Sequence, residues 1–303
     1  MELRPLGDSD VRVSRVGLGC NNFGGRVDLA ATKAVVDAAL DVGVTFFDTA
    51  DIYGGRGGSE RLLGEILVGR RDRVVLATKF GKEMGDGATS RGSARYVRSA
   101  IEGSLERLRT DSIDVYYMHE PDPSTPIAET LGALDELVRA GKVRAIGCSN
   151  FSAVQLAEAD RVGRENGTVR FVAVQNHYNL LERADDDTVL PLCREIGVAY
   201  VPYFPLASGL LTGKIRRGHA APAGTRLEGR RFDDATFDRL EALERFATAR
   251  GHRLLELAVS ASASTPGIAS VIAGATRPDQ VRANAAAGGW DLTPDDLAEL
   301  ARL

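Results

Sequence analysis

Four polar side chains in this chain could work together as an acid–base set: Asp48 in Phe46-Phe47-Asp48-Thr49-Ala50-Asp51-Ile52-Tyr53, then Tyr53 itself, Lys79 in Leu76-Ala77-Thr78-Lys79-Phe80-Gly81, and His119 in Tyr116-Tyr117-Met118-His119-Glu120-Pro121. Asp48, Lys79 and His119 each close a short apolar run, and Tyr53 follows the first of these. A lysine at the end of an apolar run needs a partner once it is buried, and a carboxylate such as Asp48 can hold it charged and aim it. An ammonium beside a tyrosine favours the phenolate, so Lys79 is expected to lower a phenol pKa whose ordinary value is about 10. A tyrosine tuned in this way can protonate an oxygen on which negative charge is building. A histidine can steady the same oxygen with a hydrogen bond. Singly, each residue has a plainer explanation: a strand-end aspartate as a cap, a tyrosine as packing, a histidine as a structural group. The argument lies in the conjunction.

The elements that would bring these residues together follow from the hydrophobic pattern. Short apolar runs at 16–20, 45–49, 74–79, 115–119, 145–149, 171–175, 199–203 and 270–274 read as strands. Between and after them, helical periodicity appears near 28–41, 59–68, 93–109, 127–140, 152–163, 187–196, 234–250, 253–263 and 278–287. In the 127–140 segment, Ile127, Leu131, Leu134, Leu137 and Val138 recur at spacings of three and four, which places them on one helix face. Pro126 pre-sets its first turn, Glu129 complements the positive helix end, and Gly141 ends it. The next run, 143–147, is short and apolar, as a strand buried on both faces of a parallel sheet must be.

Alternating strands and helices predict an α/β fold of parallel βα units, either a closed barrel or an open doubly wound sheet. No composition break or linker divides residues 1–303, so the expectation is a single-domain (β/α)8 TIM barrel. In a barrel, strand C-termini converge on one mouth, which would gather Asp48, Lys79 and His119 there with Tyr53 in the adjoining loop. The irregular stretch 207–232 follows the seventh strand on that same face, and a loop of such length is more often functional than idle.

Two glycine clusters do not make a dinucleotide fingerprint. In Gly17-Leu18-Gly19-Cys20-Asn21-Asn22 the third glycine position holds Asn22 and no helix opens there. The Gly54–Gly58 cluster does not fit either, and it reads as a flexible loop at the mouth. A net charge of −4 gives no pull toward nucleic acid or an anionic membrane. Cys20, Cys148 and Cys193 are scattered, odd in number and without metal spacing. No apolar run approaches a membrane span, and no signal-peptide core follows Met1, so the expectation is a cytoplasmic protein with no metal site.

The segments FFDTADIYG, TKFG, KVRAIGCSNF, VQNHYNLL, PLASGLLTGK and GATRPDQVRAN occur in an order and at spacings that resemble the aldo-keto reductases, in particular the bacterial type related to potassium-channel β subunits. The resemblance runs from the first strand almost to the end. It implies a catalytic tetrad of Asp48, Tyr53, Lys79 and His119, with Tyr53 donating the proton as hydride reaches a carbonyl carbon. It also implies a nicotinamide cofactor, NADPH with NADH possible. Ser149, Asn150 and Gln175 match groups that bind the carboxamide, and Tyr203 matches an aromatic stacked on the ring. Phe204 stands where a serine is more common. Leu206 through Lys214, with Ala207, Ser208 and Gly209, match a pyrophosphate loop, and Pro205 before it is a further expected cofactor contact. Gly274, Thr276, Arg277, Gln280 and Asn284 match the 2′-phosphate and adenine end, with Ala283 in place of a common glutamate. Gly19, Cys20, Asn21 and Asp48 complete the expected cofactor contacts.

Reduction of a small carbonyl substrate is therefore the leading expectation. The alternatives are a redox-sensing regulatory subunit that binds NADPH with little turnover, and a barrel isomerase or hydrolase built on Asp48, Asp51 and Glu120. The intact tetrad and the lack of a long N-terminal extension speak against the first. Lys214 and the Gln175 segment speak against the second. A short tail after the last helix predicts a wide pocket without a long C-terminal flap. Phe23, Phe80 and Trp290 either line it or pack elsewhere. His177 is expected to be structural, and His219 and His252 to lie at the surface. Neither the substrate nor the oligomeric state is legible.

Overall fold

The computed structural model describes residues 1–303. A hairpin, β1 (Leu3–Pro5) and β2 (Arg12–Ser14), precedes eight parallel strands: β3 (Val16–Gly19), β4 (Phe46–Asp48), β5 (Val75–Phe80), β6 (Ile113–Met118), β7 (Val143–Ser149), β8 (Phe171–His177), β9 (Ala199–Tyr203) and β10 (Val271–Gly274). These close into a barrel in which β10 pairs with β3 from Val271↔Val16 to Gly274↔Gly19. The expected (β/α)8 barrel is the fold, and each of the eight strand positions holds.

The helices are α1 (Leu29–Asp41), α2 (Tyr53–Arg56), α3 (Gly58–Ile66), α4 (Ala94–Leu108), α5 (Ile127–Arg139), α6 (Ala153–Asn166), α7 (Val189–Ile196), α8 (Asp234–Ala249), α9 (Leu254–Ser264), α10 (Pro278–Ala287) and α11 (Pro294–Leu300). Side-chain caps start several of them. Asp28 accepts from Ala31 N, Ser93 from Tyr96 N, and Ser152 forms a reciprocal box with Gln155.

Alternation along each strand divides the core in two. On β6, Val115 and Tyr117 face the barrel interior with Phe46, Ala77, Ala145, Ala173, Ala199, Val201 and Ile272. Tyr116 and Met118 face the helices and join the larger apolar layer between barrel and helix ring. Small residues make room for the large one: a Cβ on Gly147 would lie 2.3 Å from the Tyr117 ring. Leu6, Val11 and Val13 of the hairpin seal the end of the interior opposite the strand C-termini.

The hairpin and α11 were not foreseen. Strands of three residues that include Pro5 and two arginines carry no readable alternation. The glycine cluster 54–58 is a correction. It is a tight turn rather than an open loop: Gly54, Gly55 and Arg56 all have positive φ within the short α2 segment before α3 opens, and Gly54, at φ 67°, sits where a Cβ would be 2.4 Å from Phe23 O. Only glycine allows that turn and that approach together. No helix is long and apolar enough to cross a membrane.

Candidate active site

The strand C-termini surround a groove of about 1090 Å³. At its inner end Asp48 closes β4 and Lys79 lies next to last on β5, with 3% and 0% exposure. Lys79 Nζ donates to Asp48 Oδ2 at 2.7 Å and to Thr49 O at 2.9 Å. Asp48 Oδ1 accepts from Gln175 Nε2 on β8 at 2.8 Å, so the carboxylate is braced from across the barrel. The Lys79 ammonium lies 5.1 Å from the centre of the Tyr53 ring. That ring meets the His119 imidazole edge-on at 5.7 Å. The structure thus brings Asp48, Tyr53, Lys79 and His119 to one point.

Electrostatics set their protonation. Burial alone would lower the pKa of Lys79, but Asp48 and Tyr53 outweigh it and hold the ammonium charged above the ordinary lysine range. For Tyr53 the sequence-based expectation of a lowered pKa does not hold in this arrangement. Burial is the largest influence and raises it, Lys79 lowers it, and Asp48 raises it again, leaving the hydroxyl above its ordinary value. Lys79 is already neutralised by Asp48, so only part of its field reaches the phenol. His119 is pushed down to about 2 by burial, with Lys79 and then Lys82 adding to it, so its imidazole is neutral and carries a single N–H. Its backbone carbonyl accepts from Asn150 Nδ2 at 2.8 Å, and its Nδ1 has no partner.

The expected cofactor residues line the groove beyond this point: Gly19, Cys20, Asn21, Ser149, Asn150, Gln175, Tyr203, Phe204, Pro205, Leu206, Ser208, Gly209, Lys214, Gly274, Thr276, Arg277, Gln280 and Asn284. Ala207 is the exception. At φ 46° it packs with the apolar cluster beneath the groove. Several of these side chains are tied to one another. Ser149 Oγ donates to Gln175 O at 2.6 Å, and Tyr203 Oη donates to Asn150 Oδ1 at 2.8 Å. Gln280 Oε1 accepts from Thr276 N at 2.8 Å, and Arg277 Nε donates to Asp279 Oδ1 at 3.0 Å. His177 stacks on Tyr203, with centroids 5.5 Å apart and planes 12° from parallel.

Several lining residues were missed. The segment from Pro222 to Leu227 arches over the groove as a strap. Arg226 Nη2 donates to Asn22 Oδ1 at 2.8 Å and to Asn21 Oδ1 at 3.2 Å, while Arg26 Nη2 donates to Gly224 O at 3.0 Å. The length and place of 207–232 signalled a function, but nothing in its composition said which residues would span the groove. At the outer rim Lys82 pairs with Glu120 at 2.6 Å. Phe23 and Phe80 are fully buried away from the groove, and Trp290 stacks on His252 at 4.0 Å outside it. His219 is exposed and His252 half-buried.

A nicotinamide dinucleotide fits the groups present. Gly19 lines the groove, and a Cβ there would press on Ile272 at 3.1 Å. Lys214 reaches the groove without an ion-pair partner, α10 presents its N-terminus, and Asn150, Gln175 and Ser149 offer amide and hydroxyl groups at the inner end.

A parallel barrel thus gathers at its strand ends a lysine–aspartate pair, a tyrosine and a neutral histidine beside a long groove. The family model described as "Aldo/keto reductase family" matches residues 15–303, and the chain belongs to that family. It is 35% identical to "Aldo-keto reductase YhdN" of Bacillus subtilis (strain 168), over 99% of this chain and 92% of that one. A "Probable voltage-gated potassium channel subunit beta" of Oryza sativa subsp. japonica is 36% identical over 94% of this chain and 90% of its own. An "L-glyceraldehyde 3-phosphate reductase" of Escherichia coli (strain K12) is 32% identical over 94% and 86%. The protein is an NAD(P)H-dependent oxidoreductase.

Proposed function

We propose that the protein reduces an aldehyde or ketone to the alcohol, reversibly, taking hydride from NADPH and a proton from Tyr53. The observation that carries this reading is Lys79, which is bonded to Asp48 at 2.7 Å and lies beside Tyr53 at the inner end of the groove. A reduced nicotinamide, when bound, would supply the hydride. Tyr53 gives its hydroxyl proton to the oxygen as charge develops there, and the Lys79 ammonium stabilises the phenolate left behind. The neutral His119 directs its N–H at the same oxygen and fixes the direction of approach. Gln175 and Thr49 keep Asp48 and Lys79 from turning away. Ser149, Asn150 and Tyr203 would hold the nicotinamide end, Lys214 the pyrophosphate, and Thr276 with Arg277 the 2′-phosphate. Arg277 would have to release Asp279, to which it donates at 3.0 Å, and its cationic side chain at the start of α10 is the basis for preferring NADPH to NADH.

The test is loss of reduced-nicotinamide absorbance with a panel of aldehydes and ketones, for the wild type and Tyr53→Phe. Turnover in the wild type, its loss in Tyr53→Phe by about a hundredfold or more, and retained NADPH binding are the expected results. An active Tyr53→Phe enzyme overturns the assignment of the proton donor. Tight NADPH binding without turnover on any carbonyl favours the second reading, a redox-sensing regulatory subunit, which the channel-subunit relatives bring into view.

A further inference from the structure

Behind the tetrad, on the helix side of the barrel wall, lies a second group of buried acids with no part in the proposed reaction. Asp51 is 2% exposed and its Oδ1 has no hydrogen-bond partner. Glu60, on α3, is fully buried; its Oε1 accepts from Thr78 Oγ1 at 2.6 Å and its Oε2 from Arg107 Nε at 2.6 Å. The charged and titratable groups facing Asp51 are Glu60 on α3, Arg107 and Tyr96 on α4, Lys79 on β5 and Tyr116 on β6. Lys79 is committed to Asp48, and the Arg107 guanidinium is bonded to Glu60. The Tyr116 hydroxyl is also buried and unpartnered.

Two carboxylates in one dry site do not both ionise readily. Glu60 is held by Thr78 and Arg107, whereas Asp51 is buried with an oxygen that no donor meets, so the neutral form suits Asp51. Burial, then Glu60, push Asp51 up to about 7, with Arg107, the Ile52 N–H and Lys79 opposing. Its backbone joins this cluster to the tetrad. Asp51 N–H donates to Lys79 O at 3.0 Å, and Tyr53 N–H donates to Ala50 O at 3.1 Å in the same turn.

We propose that Asp51 is a positioning residue for Tyr53 and acts in its neutral form, seating the 50–58 turn against β5 and β6. Ionisation drives the carboxylate away from Glu60, and the turn carries Tyr53 away from Lys79. The inference rests on Tyr53 being the proton donor. It explains why a buried carboxyl without a full set of partners is kept two residues from that hydroxyl.

Asp51→Asn preserves the shape and removes the ionisation. In the wild type, kcat for carbonyl reduction falls as pH rises through about 7, with the carbonyl KM little changed. In Asp51→Asn that limb is absent, and at a pH of about 8.5 the variant is faster than the wild type by roughly threefold or more. An Asn variant that keeps the limb, or one slowed by the same factor at every pH, overturns the proposal. A second readout is independent of turnover: the carboxyl 13C signal of Asp51 and the ring signals of Tyr53, followed by NMR against pH in the resting wild type. Tyr53 is expected to shift with the midpoint of Asp51. If neither protein reduces any carbonyl but the two signals move together, the reductase reading fails and the Asp51–Tyr53 coupling stands. If Asp51 titrates while Tyr53 stays still, the coupling is refuted whatever the activity.

Discussion

Replacing Asp48 by Asn isolates the charge in an ion pair whose side chains are 0% and 4% exposed. The amide still offers an oxygen to Gln175 or Lys79, so the negative charge is what disappears. Lys79 then either stays an ammonium without a counter-charge or gives up its proton. Leaving one member of a buried pair uncompensated costs about 3–5 kcal/mol. Neutralising a lysine of ordinary pKa at pH 7 costs about 3.4 units at about 1.36 kcal/mol each, or about 4.6 kcal/mol, and this caps the loss. The cap falls by about 1.4 kcal/mol for each pH unit, to roughly 2 kcal/mol at pH 9. The sign follows from proton binding. In the variant the folded Lys79 sits below its unfolded pKa, the unfolded chain holds more protons, and stability rises with pH. In the wild type Lys79 is raised, so its contribution is complete below the ordinary lysine pKa and is lost only as pH climbs through the folded value. Urea unfolding of the wild type, Asp48→Asn, Lys79→Met and the double variant at pH 7 and 9 measures both effects. The double variant is expected to lose less than the sum of the singles, by about 2 kcal/mol or more. Additive single losses, or a loss in Asp48→Asn that ignores pH, would refute the argument.

Burial, Lys79 and Lys82 hold His119 at about 2, so its imidazole NMR signals should not titrate between about pH 5 and 8 in the native protein. The stability that depends on its neutrality is complete above the ordinary histidine value and lost as pH falls below it; a native midpoint near that value would mean the ring is hydrated. Arg226→Ala removes the strap's contacts to Asn21 and Asn22 and should weaken NADPH binding about tenfold, since a charged hydrogen bond is worth about 1.5–3 kcal/mol. Stopped-flow release at an unchanged rate would place the strap outside the exit path.

The eight barrel strands and most of their helices were legible because each strand is a compact apolar run, and the helices keep their apolar face over several turns. Asp48, Lys79 and His119 could be placed at one mouth from the position of each at a strand end, before any distance was known. What escaped depends on contacts between remote segments. Arg226 meets Asn21 across 205 positions of chain, and no local pattern marks either residue as part of a strap. The direction of the Tyr53 shift was misjudged because sequence names the neighbouring cation but not the depth of burial or the carboxylate that already neutralises it. Asp51 could be weighed in sequence only as one acid of a barrel isomerase or hydrolase, and Glu60 carries no local signal; only the packing of α3 and α4 against β5 buries the two behind the tetrad.

The seam that closes the barrel also bears on how the chain comes to fold. β10 completes the ring by pairing with β3, and the hairpin is stitched to the same late region. Arg4 Nη1 donates to Ala263 O at 2.5 Å across 259 positions, and Arg15 Nη1 reaches Asp291 Oδ1 across 276. Contacts of that separation form slowly, because a long loop must be ordered before they return any stabilisation. During synthesis β3 therefore leaves the ribosome with one edge unpaired and waits for β10, the last strand of the ring to emerge. A nascent chain arrested between β9 and β10 should expose that edge and depend on chaperones, whereas one released after α10 should close unaided.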